Sequence, residues 1–191
     1  MITGILLAAG AGKRFGGGKL KQVLPNGLAI CVASARNLVV AVDQVIAVVR
    51  PGDDATHELL AVEPNIKIVV CARAEEGMGH SLAAAVAASR ANTNWIIALG
   101  DMPLIRPQTI RSVAEAIEQG ASFAMPTYRG QRGHPVGIHS TFRNVLLALE
   151  GDAGARAIIA GNKSAVQLIE VDDPGVLVDV DTVADYQNLT S

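Results

Sequence analysis

Short apolar runs alternate with helical patterns along this 191-residue chain, and that alternation restricts its fold more than any other feature. The runs occupy residues 2–8, 44–49, 66–70, 95–99, 122–125 and 165–171. Between them, residues 29–42, 54–62, 81–90 and 107–119 are long or periodic enough for helices. A strand, a helix and a second strand close as a right-handed crossover, so the expected class is α/β: a three-layer αβα, Rossmann-like domain with a mostly parallel sheet. Only 3% of residues are aromatic while half are apolar, which suits Ala/Val/Ile/Leu helices on parallel strands rather than a sandwich. Pro107 fits a first helical turn and Gly120 the position just past the end. No repeat or linker separates a second unit, so residues 1–191 read as one domain. After Met125 the alternation loosens: residues 127–137 are rich in Gly, Arg and Pro, 176–180 read as a last strand, and 182–188 as a closing helix.

In open parallel sheets, ligands gather beyond the carboxyl ends of the strands. Here those positions are residues 10–19, 73–81, 100–101 and 128–134. A net charge of -2 gives no general field for nucleic acid or an anionic membrane, so any anion must meet a local cationic site. No charge-free apolar run approaches the ~18 residues of a membrane span, and Lys13 and Arg14 follow the first apolar run instead of preceding it as in a signal peptide. Cys31 and Cys71 have no metal-spaced partners and read as buried thiols. The expected location is the reducing cytoplasm.

The first loop is the cationic site: Gly10, Gly12, Lys13, Arg14, Gly16, Gly17, Gly18 and Lys19. A dinucleotide fingerprint would place its third glycine one residue earlier and open directly into a helix. A Walker loop would need glycine at Lys13 and a magnesium-binding hydroxyl at Leu20. The pattern L-A-A-G-x-G-x-R-[MF]-G-x-x-K is met at every fixed position from Leu7 to Lys19. Glycines let backbone amides approach a triphosphate, while Arg14 offers a planar fork of donors and Lys19 a point charge. Further along, Leu99-Gly100-Asp101-Met102-Pro103 ends an apolar strand on a carboxylate, suited to a divalent ion that takes its other oxygens from phosphate and water. Val178-Asp179-Val180-Asp181-Thr182 offers a partner; on a strand its two carboxylates share a face. Asp181 can equally cap the closing helix. Glu76-Gly77-Met78-Gly79-His80-Ser81-Leu82 opens a helix, Gly130-Gln131-Arg132-Gly133-His134-Pro135 is a turn, and Gly151-Asp152-Ala153-Gly154-Ala155-Arg156 follows.

These segments, in this order, resemble the MobA-like nucleotidyltransferases, and within them the molybdenum cofactor cytidylyltransferases. The resemblance implies a GT-A-like nucleotidyltransferase fold, with the nucleotide in residues 1–105 and the acceptor in 106–191. It implies nucleotide contacts from Leu7, Ala8, Ala9, Gly10, Gly12, Arg14, Lys19, Ser81, Gly100 and Asp101, with Arg14, Lys19 and Asp101 as catalytic residues. Asp101 and Asp181 would hold Mg2+ or Mn2+, with Asp179 in support, and Gly133, His134, Pro135, Asp152 and Arg156 would face the acceptor. The implied reaction moves CMP from CTP to the phosphate of molybdopterin and releases pyrophosphate; the product would pass to a molybdenum hydroxylase. Ala9 leans toward CTP, since the cytidylyltransferases write L-A-A-G and the guanylyltransferases L-A-G-G. A guanylyl or other nucleotidyl transfer to another phosphorylated small molecule, and a non-catalytic cofactor carrier, stay open as alternatives. One departure is Pro25-Asn26-Gly27-Leu28-Ala29-Ile30, where that family usually writes G-G-x-P-[LM].

Overall fold

The computed structural model describes residues 1–152 and 154–190, the Thr190 side chain excepted; Ala153, within the 151–156 motif, lies outside the described residues. The described elements are β1 (Ile2–Leu7), α1 (Ile30–Val39), β2 (Gln44–Val49), α2 (Asp54–Ala61), β3 (Ile66–Val70), α3 (Met78–Ala88), β4 (Asn94–Leu99), α4 (Pro107–Glu118), β5 (Phe123–Tyr128), β6 (Gln131–Arg132), β7 (Val136–Ile138), α5 (Arg143–Leu147), α6 (Gly154–Gly161), β8 (Val166–Glu170) and α7 (Val183–Thr190). They form one sheet in the order β3-β2-β1-β4-β7-β5-β6, with β8 on β5. β1 pairs in parallel with β2 and β4, β2 with β3, and β5 with β8; β7 and β6 run antiparallel to their neighbours. The expected α/β, mostly parallel architecture is what the chain adopts.

β1 is buried on both faces because alternate side chains feed opposite layers. Leu6 joins α1, α2 and α4 on one side, and Ile5 joins α3, α5 and α6 on the other. β1 is pressed so closely to α1 that a Cβ at Gly4 would lie 2.8 Å from Leu38 Cγ. The register matters for the site. Leu7 faces Val48 and Leu99, and the Gly100 N–H donates to the Leu7 carbonyl at 2.9 Å, so the loops after β1 and β4 leave the sheet side by side.

Two parts of the second half depart from expectation. Residues 176–180 are not a strand: Pro174–Leu177 is a 3-10 turn followed by extended chain outside the sheet. Asp173 caps that turn by accepting from the Gly175 N–H, and Pro174 sits in its first position, so local turn chemistry outweighed the apolar alternation. Asp179 and Asp181 therefore do not share a strand face; Asp179 is exposed and Asp181 half-buried. The loosely patterned 127–137 region, by contrast, ends β5 and supplies β6 and the start of β7, and β7 inserts between β4 and β5.

Candidate active site

Beyond Leu7 the chain makes two 3-10 turns, Lys13–Phe15 and Lys19–Lys21, with Gly12, Gly16, Gly17 and Gly18 at φ of +58°, +87°, +93° and +67°. Side chains rarely adopt such angles, so the glycine content of the loop is a geometric requirement. No helix follows the loop directly, since α1 begins only at Ile30. The folding-back places the Lys19 stem 3.3 Å from where a Gly12 Cβ would stand.

From this loop two cations reach two carboxylates, one from the middle of the sequence and one from near its C-terminal end. Lys19 Nζ donates to Asp101 Oδ2 at 2.6 Å and to Asp181 Oδ1 at 3.1 Å, and Arg14 Nη1 donates to Asp181 Oδ2 at 2.6 Å. The side chains are 10% exposed at Lys19, 20% at Asp101, 35% at Asp181 and 78% at Arg14, so the centre grades from shielded to solvated. The outer Arg14–Asp181 pair is worth at most about 1 kcal/mol. Burial pulls the Lys19 pKa down, but hydrogen bonds and charge from Asp101, and then from Asp181, outweigh it and hold Lys19 above its ordinary value.

The approach of Asp181 to Asp101 is built elsewhere. Buried Asp173 accepts from the Arg106 N–H at 2.9 Å, the Thr109 hydroxyl at 2.6 Å and the Gly175 N–H at 3.0 Å. Gly175 fits so tightly under the 101–106 loop that a Cβ would lie 2.3 Å from the Leu104 carbonyl oxygen. The Val180 N–H then donates to the Asp101 carbonyl at 3.0 Å, setting Asp181 beside it. Sequence reasoning missed Asp173, although Asp-Pro ahead of a turn is a recognisable capping signal.

Arg14, Lys19, Asp101 and Asp181 line a cleft of about 590 Å3. Of the residues expected to touch nucleotide, Leu7, Ala9, Gly10, Gly12, Arg14, Lys19, Ser81 and Asp101 lie on its walls. Ala8 and Gly100 do not: the Ala8 side chain is buried and its N–H goes to the Val48 carbonyl, while Gly100 packs under Leu7. Asp152, expected on the acceptor side, lines this same cleft. The reason is a backbone contact. Gly77 has φ +135°, and a Cβ there would lie 2.2 Å from the Gly151 carbonyl carbon, so α3 begins directly against residues 151–152. The Gly79 N–H donates to the Gly151 carbonyl at 2.8 Å, and His80 Nε2 accepts from the Gly151 N–H at 3.3 Å. Glu75, Gly77 and Met78 also line the cleft; no pattern in the sequence pairs them with Gly151.

Gly133, His134, Pro135 and Arg156 lie outside the cleft lining. His134 is half-buried, its N–H donates to the Val176 carbonyl at 3.0 Å, and a Cβ on Gly133 would lie 2.4 Å from that same oxygen. Burial lowers the His134 pKa; Asp101 and Asp179 pull it back up and Arg156 adds to the lowering. His134 thus feels the charge of Asp101, one of the two carboxylates.

The donor set suits a hard divalent ion. Among the described residues, two buried side-chain polar atoms have no hydrogen-bond partner, Asp101 Oδ1 and His134 Nδ1. A buried carboxylate oxygen without a partner is costly unless a ligand completes it. No group of three or more His, Cys, Asp or Glu among the described residues is arranged around a metal, so an ion here would draw its remaining oxygens from phosphate and water.

The nicotine blue oxidoreductase of Paenarthrobacter nicotinovorans is 32% identical over 197 residues, covering 98% of this chain and 96% of that one. The purine catabolism protein PucB of Bacillus subtilis is 28% identical, with 97% and 94% covered. The crystal structure of Rv0371c from Mycobacterium tuberculosis superposes with a TM-score of 0.85 at 27% identity over 99% of this chain and 96% of that one, and the same protein has been solved in complex with manganese. Residues 4–168 match the MobA-like NTP transferase domain, and the chain belongs to that family of nucleotidyltransferases.

Proposed function

We propose that the chain transfers CMP from CTP to the phosphate of a molybdopterin-type pterin, releasing pyrophosphate, with Mg2+ or Mn2+ held by Asp101 and Asp181. The observation that carries this reading is the convergence of Arg14, Lys19, Asp101 and Asp181 at one cleft. A carrier that never turns its ligand over has no use for two aligned carboxylates beside two phosphate-binding cations. Residues 1–105 supply most of the nucleotide site, and Gly133, His134, Pro135 and Arg156 face the acceptor, with Asp152 between the two. The product passes to a molybdenum hydroxylase, in the cytoplasm. Among the described residues no helix is long and apolar enough to cross a membrane.

In the reaction, an oxygen of the acceptor phosphate bonds to the α-phosphorus of CTP, and the bond to the bridging oxygen breaks, that oxygen leaving with its electron pair as pyrophosphate. The second pKa of a phosphomonoester is ~6, so the attacking group is already ionised at neutral pH and needs no base from the chain. Arg14 and Lys19 neutralise and align the triphosphate oxygens, and the amides of the glycine loop approach it closely. A divalent ion, when bound, supplies further charge neutralisation at the phosphates. Ala9, whose small side chain borders the cleft, is the residue on which the choice of cytosine rests. The manganese complex of Rv0371c supports use of a divalent ion. The relative named as an oxidoreductase raises a rival chemistry, but the glycine loop here runs into 3-10 turns and lacks the helix on which a dinucleotide pyrophosphate sits.

The test is pyrophosphate release from each of the four nucleoside triphosphates with molybdopterin and Mg2+. Release with CTP is expected. Preference for GTP overturns the cytidylyl assignment, binding without release supports a carrier, and reduction of nicotine blue without pyrophosphate release overturns the reading altogether.

A further inference from the structure

We infer that Lys19 is the resident cation of the two-carboxylate centre, and that it must exchange partners for the site to load, so that divalent ion and triphosphate bind as one cooperative unit. The inference rests on the nucleotidyl-transfer reading above and adds an order of assembly to it. In the ligand-free chain Lys19 Nζ bridges Asp101 Oδ2 and Asp181 Oδ1 at 2.6 and 3.1 Å, and Arg14 occupies the other oxygen of Asp181 at 2.6 Å. Both cations are therefore already paired, and three of the four carboxylate oxygens are already engaged. The fourth, Asp101 Oδ1, is buried and without a partner.

Each ligand arriving alone meets an obstacle. A triphosphate that draws Lys19 and Arg14 away leaves Asp101 and Asp181 unpaired next to its own negative charge. A divalent ion that takes both carboxylates strands the ammonium of Lys19, whose side chain is only 10% exposed, beside a second positive charge. Leaving one partner of a shielded pair uncompensated is among the more costly changes a site can undergo. When both ligands arrive, every charge finds a partner: the ion takes the carboxylates, including the orphaned Asp101 Oδ1, and Lys19 and Arg14 turn to the phosphates. The four-carbon stem of Lys19 allows its ammonium to swing while the glycine turns keep their shape. The favourable term appears only with both ligands present, which is a coupling free energy, and coupling of this kind is reciprocal.

The experiment uses the full chain without acceptor, so that nothing turns over. Mn2+ binding is followed by loss of the free-ion paramagnetic resonance signal with and without CTP, correcting for Mn–CTP formed in solution; CTP binding is followed by calorimetry with and without Mn2+. Each ligand is expected to tighten the other by about tenfold or more. Lys19→Met, which removes the competing ammonium, is expected to tighten Mn2+ taken alone several-fold while weakening CTP and abolishing most of the coupling. Loss of metal binding in Lys19→Met, or equal Mn2+ affinity in variant and wild type, overturns the exchange. So does independent binding of the two ligands to the wild-type chain, a measurement that does not depend on the variant folding. Failure of Mn2+ and CTP to bind in any combination overturns the nucleotidyl-transfer reading itself, whereas binding without coupling overturns the exchange alone.

Discussion

Asp101 is the residue at which the two halves of the chain meet. One of its oxygens is held by Lys19, the other has no partner, and its carbonyl accepts from Val180 next to the second carboxylate. Its position is legible in the sequence, because an apolar strand ending on a carboxylate is a local pattern. The environment of His134 is not legible, since it depends on Asp101, Asp179 and Arg156, all remote in sequence. His134 also carries a pH prediction. Its folded pKa lies below the ordinary value of about 6.5, so between those two values the unfolded chain binds more protons and stability rises with pH. The stability held by neutral His134 is thus complete above pH ~6.5 and is lost as pH falls through the folded value. Urea unfolding at pH 7.5 and 5 should show a smaller loss for His134→Gln than for the wild type; equal losses would refute the assignment. Burial likewise pushes the Cys31 thiol up to about 11, in keeping with a structural cysteine.

Among the elements, the strands and helices with clean periodicity form where the sequence places them, to within a few residues at their ends. The exceptions have physical causes: Asp173 and Pro174 turn the 176–180 segment out of the sheet, and the antiparallel β7 is drawn in to pair with β4. Neither event leaves a periodic trace. The start of α3 is the element most dependent on a remote contact, because Gly77 lies against Gly151 and the two loops together shape the cleft beside Ser81. Gly77 and Gly27 both have positive φ, +135° and +81°, but a Cβ at Gly27 meets nothing within 4 Å. Gly27→Ala should cost about 1 kcal/mol from backbone strain alone, and Gly77→Ala about 2–4 kcal/mol together with weakened CTP binding. Chemical denaturation and calorimetry of the two variants would check this, and equal costs would mean that the close approach to residues 151–152 carries no weight.

For the whole molecule, the parallel register of β1 and β4 sets the glycine loop beside Asp101, and the C-terminal segment crosses back to deliver Asp181. The alternation of strands and helices was sufficient to anticipate the parallel part of the sheet and the end of it at which the cleft opens. It could not anticipate that residues 151–152 would fold onto the start of α3, which moves Asp152 into the main cleft, or that Lys19 would occupy both carboxylates. That these four charged groups form a metal-assisted triphosphate centre is our proposal. It is tested most directly by pyrophosphate release from CTP in Asp101→Asn, a nearly isosteric change at a residue outside the hydrophobic core. The expected result is a fall in rate of about 100-fold or more, with the melting temperature within a few degrees of wild type; a folded variant that releases pyrophosphate at a near-normal rate would rule the centre out.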